Sequence, residues 1–512
     1  MVSALVLAVV YLVWAPPSAD LAAQAFRAHL FAEHGFEVWS NAWYSGFHLP
    51  GYSLLFGPLA ALVGVRLAGA LSVVAAAWCF ERLVRGRYGE RARLAAWLFG
   101  AGAASNLFTG RLTFALGLAL AVGALLALDR GRERPAAALA ALSALGSPVA
   151  GLFVAFAGGV LFVTGHRRRG LVLAAPAAAA IAVAAFGFPT GGYEPFVANT
   201  FTLIVPGCLL VFLVLPGEER ALRVGAVLYL AMCLALFAID TPVGGNATRL
   251  GSLAAAPLVA LAWGRRPALL VLAALVPLVY WQWVAPVRDL TDAVGEPSVE
   301  RSYYEPLLAE LDRRAGANPE PFRVHVTPTR NRWEANYVAR RYPLARGWLR
   351  QAEADDFELF QDGNLTPEAY RGWLAERAVR FVAVPTRAEP DYLARDEIAL
   401  LRAGVPGVEL AWEAEGWELY EVAEPAPLAE PPARVTELGD DWFELTGPPG
   451  EHAVRISPSP YWRVEAGAGC VRADGERLVV ELERGPLRAR ADFSLGGLWR
   501  ALTRREARSC RS

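Results

Sequence analysis

This sequence contains little charge and no lysine. Only 19% of its 512 residues are charged, whereas soluble domains average about 25%, so the composition does not favour an ordinary soluble enzyme. All 49 basic residues are arginines, an excess that codon usage in a GC-rich genome explains, and we draw no functional conclusion from it. The formal net charge of -1 gives no indication of a nucleic-acid partner.

Long apolar runs fill the first part of the chain. As far as residue 286 the charged residues form short clusters between these runs, and after residue 288 they are scattered throughout. We therefore predict a membrane domain over residues 1–287. Because a spanning helix needs roughly 20 apolar residues, we predict an α-helical polytopic membrane protein with about 11 transmembrane helices. The candidate spans are 1–15, 66–84, 92–106, 112–128, 135–147, 149–164, 171–187, 200–215, 222–239, 250–263 and 267–285.

The linkers between the apolar runs differ in arginine content. Arginine-rich linkers should face the cytoplasm, and they lie at 82–93, 129–134, 166–169, 218–223 and 264–266. Arginine-poor linkers should face outward, and they lie at 16–50, 105–111, 188–199 and 240–249. With a cytoplasmic N-terminus, an odd number of crossings puts residue 286 onward outside. Residues 1–15 would otherwise be a cleaved signal peptide, but they lack its basic segment and cleavage site, so we expect a retained helix.

The polar remainder of the chain has the pattern of exported soluble domains. Residues 298–424 alternate helical and strand periodicities, which predicts an α/β domain. Residues 433–496 carry short alternating strands, which predicts a small β-sandwich domain. Cys470 and Cys510 lie in this region and can pair as a disulfide if it is exported. We find no nucleophile motif, phosphate loop or metal-ligand spacing here.

The first outward linker contains a polar helix face. A helix should follow the two prolines at 16–17, with a carboxylate in its first turn. At 100° per residue, four polar side chains share one stripe of it: Asp20, Gln24, Arg27 and His34. An aromatic and polar segment follows, as in carbohydrate sites and membrane interfaces alike, and it includes Trp43, Tyr44 and His48. A helix-start carboxylate and an interfacial aromatic belt are the structural alternatives.

Three arginines, Arg66, Arg111 and Arg249, lie at outward ends of predicted spans, against the positive-inside trend. Arg111 follows a turn at 106–110, and Arg249 follows a glycine-containing turn that starts at Gly244. Glycine N–H groups beside an arginine suit a phosphate. Snorkelling to the outer headgroups, or an ion pair between Asp240 and Arg249, would account for the same residues structurally.

The order of these features resembles the type C (GT-C) superfamily of membrane glycosyltransferases, which use lipid-linked sugars. The shared features are a first helix, the segment PPSAD ending at Asp20, an aromatic stretch ending in LPGY at 49–52, about a dozen spans and an exported C-terminal region. Many members have an acidic pair where this sequence has one acidic residue, and the nearest others are Glu33 and Glu37. The later chain also resembles uncharacterised actinobacterial integral membrane proteins, at RWEA (332–335), LARGW (344–348) and VRFVAVP (379–385).

The resemblance implies a cell-envelope glycosyltransferase, a hexosyl- or pentosyltransferase, in a bacterial plasma membrane with its C-terminal region extracytoplasmic. It would transfer a sugar from a polyprenyl-phosphate donor to a glycan or lipid acceptor on the outer face, with no metal or other cofactor required. Asp20 would accept the proton of the acceptor hydroxyl. The donor phosphate would bind Arg249, Arg111 or Arg27, and the substrate contacts would be Gln24, His34, Trp43, Tyr44 and His48. The alternatives are an envelope lipid or glycan transporter, which should carry ionisable residues near span centres, and a non-catalytic membrane assembly factor.

Overall fold

The computed structural model describes residues 1–189, 191–317, 320–353, 359–360, 364–475 and 477–503. The chain divides into two compact units. Unit one comprises Met1–Gln24, Tyr52–Ala185 and Gly191–Val294, and unit two comprises Ala25–Gly51, Phe186–Thr190 and Gly295–Ser512. The last boundary between the units lies between Val294 and Gly295, and the segment Ala25–Gly51 belongs to unit two.

Unit one is built of helices, and every predicted span coincides with one of them. Two of the helices, α2 and α9, begin in unit one and end in unit two. The helices are α1 (Val2–Trp14), α2 (Ala19–His34), α3 (Phe56–Val63), α4 (Val65–Tyr88), α5 (Arg93–Phe108), α6 (Leu112–Asp129), α7 (Glu133–Gly146), α8 (Pro148–Val163), α9 (Arg167–Gly187), α10 (Phe201–Val214), α11 (Arg220–Ala238), α12 (Thr248–Ala260) and α13 (Ala268–Ala293).

The lengths and apolar character of these helices are those of a multi-pass membrane protein. Within the described residues, five helical segments are long and apolar enough to cross a membrane, or six if the bent pair α1 and α2 is one span. The five are Val65–Phe108, Leu112–Asp129, Arg167–Gly187, Arg220–Ala238 and Ala268–Ala293. The first contains both α4 and α5, which pack against each other, so it can supply two crossings. The total of about eleven stays a prediction.

Small residues allow the helices of unit one to approach closely. A Cβ placed on Gly158 of α8 would lie 2.6 Å from the carbonyl oxygen of Gly170 in α9, and a Cβ on Gly170 would lie 2.5 Å from that of Gly158. Gly151 packs in the same way against Ala144 of α7, at 2.5 Å. Small residues at helix crossings are typical of membrane bundles, where close backbone packing replaces the hydrophobic effect as the main attraction.

The first part of unit two contains a mixed four-stranded sheet. Its strands have the order β3-β4-β6-β5, with β3 and β4 parallel and the other pairs antiparallel. The strands are β3 (Arg323–Val326), β4 (Val379–Pro385), β5 (Val408–Ala414) and β6 (Trp417–Val422), and the helices of this part are α14 (Arg301–Ala315), α15 (Glu334–Tyr337), α16 (Pro367–Glu376) and α17 (Arg395–Ala403). The α/β character predicted for residues 298–424 is present in these elements.

The second sheet of unit two is antiparallel and five-stranded. Its order is β10-β11-β8-β7, with β9 paired to β11 off this path. The elements are β7 (Arg434–Leu438), β8 (Trp442–Thr446), β9 (Gly450–Val454), β10 (Trp462–Asp474), β11 (Arg477–Ala491) and the helix α18 (Leu495–Leu502). Instead of the two hydrogen-bonded layers of the predicted β-sandwich there is one sheet, because the 15-residue β11 pairs with β9 over 478–482 and with β8 over 487–490.

The segment Ala25–Gly51 contributes to the core of unit two. Its short strands β1 (Trp39–Ser40) and β2 (Phe47–His48) pair with each other. Trp39 packs edge-on against Trp462 with the ring centroids 5.8 Å apart, and the Asn41 side chain donates to the Gly439 carbonyl at 2.8 Å. The aromatic residues that we assigned to an outward loop are therefore part of a folded polar unit.

The cysteines divide as the sequence indicated, as far as they are described. Cys79, Cys208 and Cys233 are free thiols in the helices of unit one. Cys470 lies on β10. Cys510 lies outside the described residues, so its pairing with Cys470 stays a prediction.

Candidate functional site

Two turns in unit one bring a carboxylate and a guanidinium together. After α1, Ala15 adopts a left-handed conformation (φ 52°), and two prolines then precede α2, so the chain turns before Asp20. After α5, Gly110 has a φ of 75°, and a Cβ there would lie 2.4 Å from the backbone nitrogen of Leu21. This close approach places Arg111 Nε 3.2 Å from Asp20 Oδ2. Both side chains are about three-quarters buried, at 27% and 22% exposure.

Arg249 lies close to this ion pair. It is in the first turn of α12, half-buried, with its guanidinium 5.6 Å from the ring centre of Phe114. Its charge interacts with those of Asp20 and Arg111. Within the part of the chain that the structure describes, no carboxylate lies in ion-pair distance of Arg249, so the pair with Asp240 that we considered is not formed. The structure thus brings together three of the residues singled out in the sequence.

A second carboxylate, which was not predicted from the sequence, lies near Asp20 and Arg111. Asp289 lies toward the end of α13, 3.3 Å from Arg288 and 23% exposed, and its charge interacts with those of Arg111 and Asp20. Glu33 and Glu37, the acidic residues nearest to Asp20 in sequence, both lie in unit two. The predicted span ended at residue 285, while α13 continues to residue 293, and this extension carries the carboxylate.

The glycine-containing turn before Arg249 does not offer its backbone to a phosphate. The N–H of Gly244 donates to Thr241 Oγ1 at 3.2 Å, and the N–H of Gly245 donates to the Pro195 carbonyl at 3.3 Å. At Gly244, with φ 40°, a Cβ would lie 1.7 Å from the Glu194 carbonyl oxygen. The glycines are therefore required for close packing of the 194–195 segment, and our expectation of free N–H groups in this turn is wrong.

Gln24 presents an unsatisfied acceptor one helical turn after Asp20. Its side chain is fully buried, and Nε2 donates to the Tyr52 hydroxyl at 3.1 Å. Its Oε1 is buried and has no hydrogen-bond partner among the described residues. A buried amide oxygen without a donor costs free energy, about 1–3 kcal/mol, which a ligand hydroxyl would offset.

An apolar cavity of about 400 Å³ lies among the helices of unit one. Leu250 and Leu118 both line it. Leu250 directly follows Arg249 in α12, and Leu118 is one helical turn, about 6 Å, beyond Phe114, over which Arg249 lies. The cavity therefore adjoins the charged group along two different helices.

Trp43 and Tyr44, predicted as substrate contacts, are buried within unit two. Trp43 is stacked between Phe26 and Phe47, with ring centroids at 4.6 and 4.8 Å, and its indole N–H donates to the Ala335 carbonyl at 3.0 Å. The Tyr44 hydroxyl donates to a backbone carbonyl at 2.9 Å. Protein therefore covers both faces of Trp43, and a role for these residues in binding substrate stays a prediction.

The remaining polar residues of the predicted stripe and loop also lie in unit two. Arg27 is buried with its guanidinium 5.5 Å from the Trp43 ring centre, and His34 is 2.9 Å from Asp440. His48 has Nδ1 2.7 Å from the Pro189 carbonyl and Nε2 2.9 Å from Ser459 Oγ. Burial lowers the pKa of His48 to about 4, so the ring is neutral near pH 7 with both nitrogens engaged. Their binding roles stay predictions.

Unit two also contains a buried group of charges. Glu353 is fully buried, with Oε1 2.8 Å from Arg332 and Oε2 2.9 Å from Arg346. Burial alone would raise the pKa of Glu353, but the two guanidinium groups outweigh it and lower the pKa to about 2. Glu397 beside it lies 2.6 Å from His325 Nε2. These side chains pair with one another, so the arrangement is explained by the packing of the α/β sheet.

No metal site emerges within the described residues, where no group of three or more His, Cys, Asp or Glu side chains could hold an ion.

The chain is similar to known proteins in structure. No family model and no curated protein matches the chain. It is similar to the cryo-EM structure of arabinofuranosyltransferase AftD from Mycobacteria, with a TM-score of 0.47 and 17% identity, over 82% of this chain and 39% of AftD. It is similar to ArnT from Cupriavidus metallidurans bound to undecaprenyl phosphate, with a TM-score of 0.40 and 14% identity, over 80% of this chain and 94% of ArnT.

A third likeness is to the archaeal oligosaccharyltransferase AglB from Archaeoglobus fulgidus, with a TM-score of 0.37 and 12% identity, over 80% of this chain and 71% of AglB. AftD, ArnT and AglB are GT-C fold glycosyltransferases, the superfamily that the sequence features of this chain resemble. The chain spans about two-fifths of the length of AftD.

Proposed function

We propose that this protein transfers a sugar from a polyprenyl-phosphate donor to an acceptor hydroxyl at the outer face of a bacterial plasma membrane. The observation that carries the proposal is the meeting of Asp20, Arg111 and Arg249 in unit one, beside an apolar cavity. A lipid-linked sugar phosphate needs these three kinds of surface: cationic groups for the phosphate, an apolar space for the isoprenoid chain and a base for the acceptor.

The arginines supply the charge that the leaving phosphate requires. Guanidinium groups bind phosphate oxygens through paired N–H donors, and at a partly buried site they stabilise charge that develops as the sugar–phosphate bond breaks. Arg249 is the stronger candidate, because no carboxylate neutralises it at close range within the described residues. An isoprenoid chain attached to a phosphate at Arg249 would enter the cavity past Leu250.

Asp20 is the group placed to accept the acceptor's proton. In the proposed step the acceptor oxygen attacks the anomeric carbon, the bond from that carbon to the phosphate oxygen breaks, and the lipid phosphate leaves with both bonding electrons. The acceptor proton ends on the Asp20 carboxylate. Direct displacement of this kind inverts the anomeric centre. The free Oε1 of Gln24 would accept a hydrogen bond from a hydroxyl of the bound sugar or acceptor.

Transfer of labelled sugar from a synthetic polyprenyl-phosphate sugar, by the full chain in lipid nanodiscs, tests the proposal. Removing a general base typically costs 10²–10⁴-fold, so Asp20→Asn should lower kcat about 100-fold or more. Arg249→Met should mainly raise KM for the donor, with Arg249→Lys restoring part of the loss. Asp129→Asn is the matched control, because Asp129 is an exposed aspartate at the other end of α6.

The same assays separate an enzyme from a lipid transporter. If the wild-type protein binds polyprenyl phosphate and moves it across the membrane without transferring sugar, the protein is a lipid transporter. Retention of full sugar transfer by Asp20→Asn would remove Asp20 from the mechanism. Absence of donor binding by the wild type would refute the proposal altogether.

A further inference from the structure

The helix α18 of unit two exposes a continuous apolar face. At 100° per residue, Leu495, Trp499 and Leu502 fall within a narrow stripe, and their exposed fractions are 78%, 62% and 39%. The other side of the helix is engaged, since Gly497 is buried and Arg500 donates to the Pro460 carbonyl at 2.8 Å. The exposed stripe therefore belongs to a helix whose opposite face is fixed to the protein.

The same helix is attached to the end of a membrane span. Tyr461 donates its hydroxyl hydrogen to the carbonyl of Gly187, the last residue of α9, at 2.8 Å. Gly497 of α18 packs on the Tyr461 ring, where a Cβ would be 2.7 Å from Cδ1. A Cβ on Gly187 would likewise be 2.7 Å from Leu498 Cδ1. These contacts, all within unit two, hold α18 beside the last turn of α9.

The chain reaches this part of unit two directly from an apolar helix. α9 is long and apolar enough to cross a membrane, and only 28% of its apolar window is buried, so most of its side chains are left for lipid. Phe186 in its last turn is 51% exposed. Phe493, which precedes α18 by two residues, and Phe36 are also exposed in unit two, with ring centroids 6.4 Å apart and exposed fractions of 42% and 52%.

We propose that α18 lies in the interfacial layer of the bilayer, with Leu495, Trp499 and Leu502 inserted among phospholipid acyl chains. A helix that exposes one strongly apolar face can lie in the membrane plane, and tryptophan favours the headgroup level. A lipid occupant follows from the attachment of α18 to the end of α9, because the apolar patch begins where a lipid-exposed span ends. The helix thereby fixes the C-terminal sheet of unit two to the membrane surface.

Photolabelling by lipid tests this placement directly. The full chain is placed in nanodiscs of phosphatidylethanolamine and phosphatidylglycerol containing a phospholipid with a diazirine near its glycerol backbone, and labelled peptides are identified by mass spectrometry. The peptide with residues 493–503 should be labelled at least about five-fold more than the peptide of β5 that contains Leu410. Leu410 is the control because it is also an exposed leucine, at 51%, but lies on a strand distant in sequence from α18. In Leu495→Gln/Trp499→Gln the label on α18 should fall several-fold, with the label on α9 unchanged and Leu410→Gln without effect.

The labelling pattern of the wild-type protein tests the placement of α18 in the membrane even if the double variant does not fold. Labelling of α18 no greater than that of the Leu410 peptide would overturn the proposal.

Discussion

The buried carboxylate Glu353 should be worth about 3 kcal/mol to unit two. The two arginines lower its pKa from 4.5 to about 2, and each pKa unit corresponds to about 1.36 kcal/mol of preference for the charged form. Full burial means that solvent screening does not reduce this value. Glu353→Gln keeps the shape of the side chain but leaves Arg332 and Arg346 without their shared carboxylate, and breaking buried pairs of this kind costs about 3–5 kcal/mol.

The sign of the pH dependence follows from the lowered pKa. Because the folded form holds the proton less tightly than the unfolded form, the stabilisation is fully present above pH 4.5 and is lost as the pH falls toward 2. The difference between wild type and Glu353→Gln should therefore be largest near pH 7. It should shrink as the pH falls through this window.

Hydrogen exchange of the full chain in detergent measures this effect locally. Peptides covering β3 and β4 should exchange roughly 100-fold faster in Glu353→Gln than in wild type at pH 7, since about 1.4 kcal/mol is a factor of ten. Glu389→Gln is the matched control: Glu389 also has two arginine partners, Arg330 and Arg395, but these side chains are 41–60% exposed. Exposed pairs contribute about 0–1 kcal/mol. Equal effects of the two substitutions, or unchanged exchange in Glu353→Gln, would refute the reasoning.

Two further stability predictions follow from the structure. Burial raises the pKa of Glu334 to about 7, so the folded state holds this proton longer than the unfolded state; wild-type stability should fall as the pH rises from 4.5 to 7 and then level off, and Glu334→Gln should abolish this slope in a series of melting curves. In unit one, Glu219 lies 3.2 Å from both Arg87 and Arg265 and accepts a hydrogen bond from Tyr88 at 2.9 Å; Glu219→Ala should lower the melting temperature in detergent by several degrees, whereas Glu218→Ala, which loses one exposed pair, should change it little.

Periodicity and composition were sufficient to predict most local structure. All the predicted spans fall on helices, and the α/β region carries the hairpin of β5 and β6, with its turn at Glu415 and Gly416, where both φ angles are positive. Such features depend on neighbours in sequence, and apolar runs and turn residues report them directly.

The errors arose where structure depends on distant residues. The aromatic loop after Asp20 has the composition of a membrane interface, but its tryptophans pack against Trp462 and Ala335, hundreds of positions away. The sequence of the glycine turn at 244–245 is typical of an anion site. In the structure, however, the backbone of Glu194 packs against this turn. Asp289 was missed for the same reason, because its proximity to Asp20 comes from the packing of α13 and not from sequence spacing.

The candidate site has to be distinguished from an ion pair that merely holds two turns together. The Asp20–Arg111 pair alone would fit such a structural role, since it joins the turn before α2 to the turn before α6. A structural pair needs neither a second guanidinium nearby nor an unsatisfied buried amide, because repulsion between cations and a missing hydrogen bond both cost free energy. Arg249, with no ion pair of its own among the described residues, and the free Oε1 of Gln24 are costs that an anionic, hydroxyl-bearing ligand would offset. These two residues, more than Asp20 itself, therefore favour a binding site for a sugar phosphate.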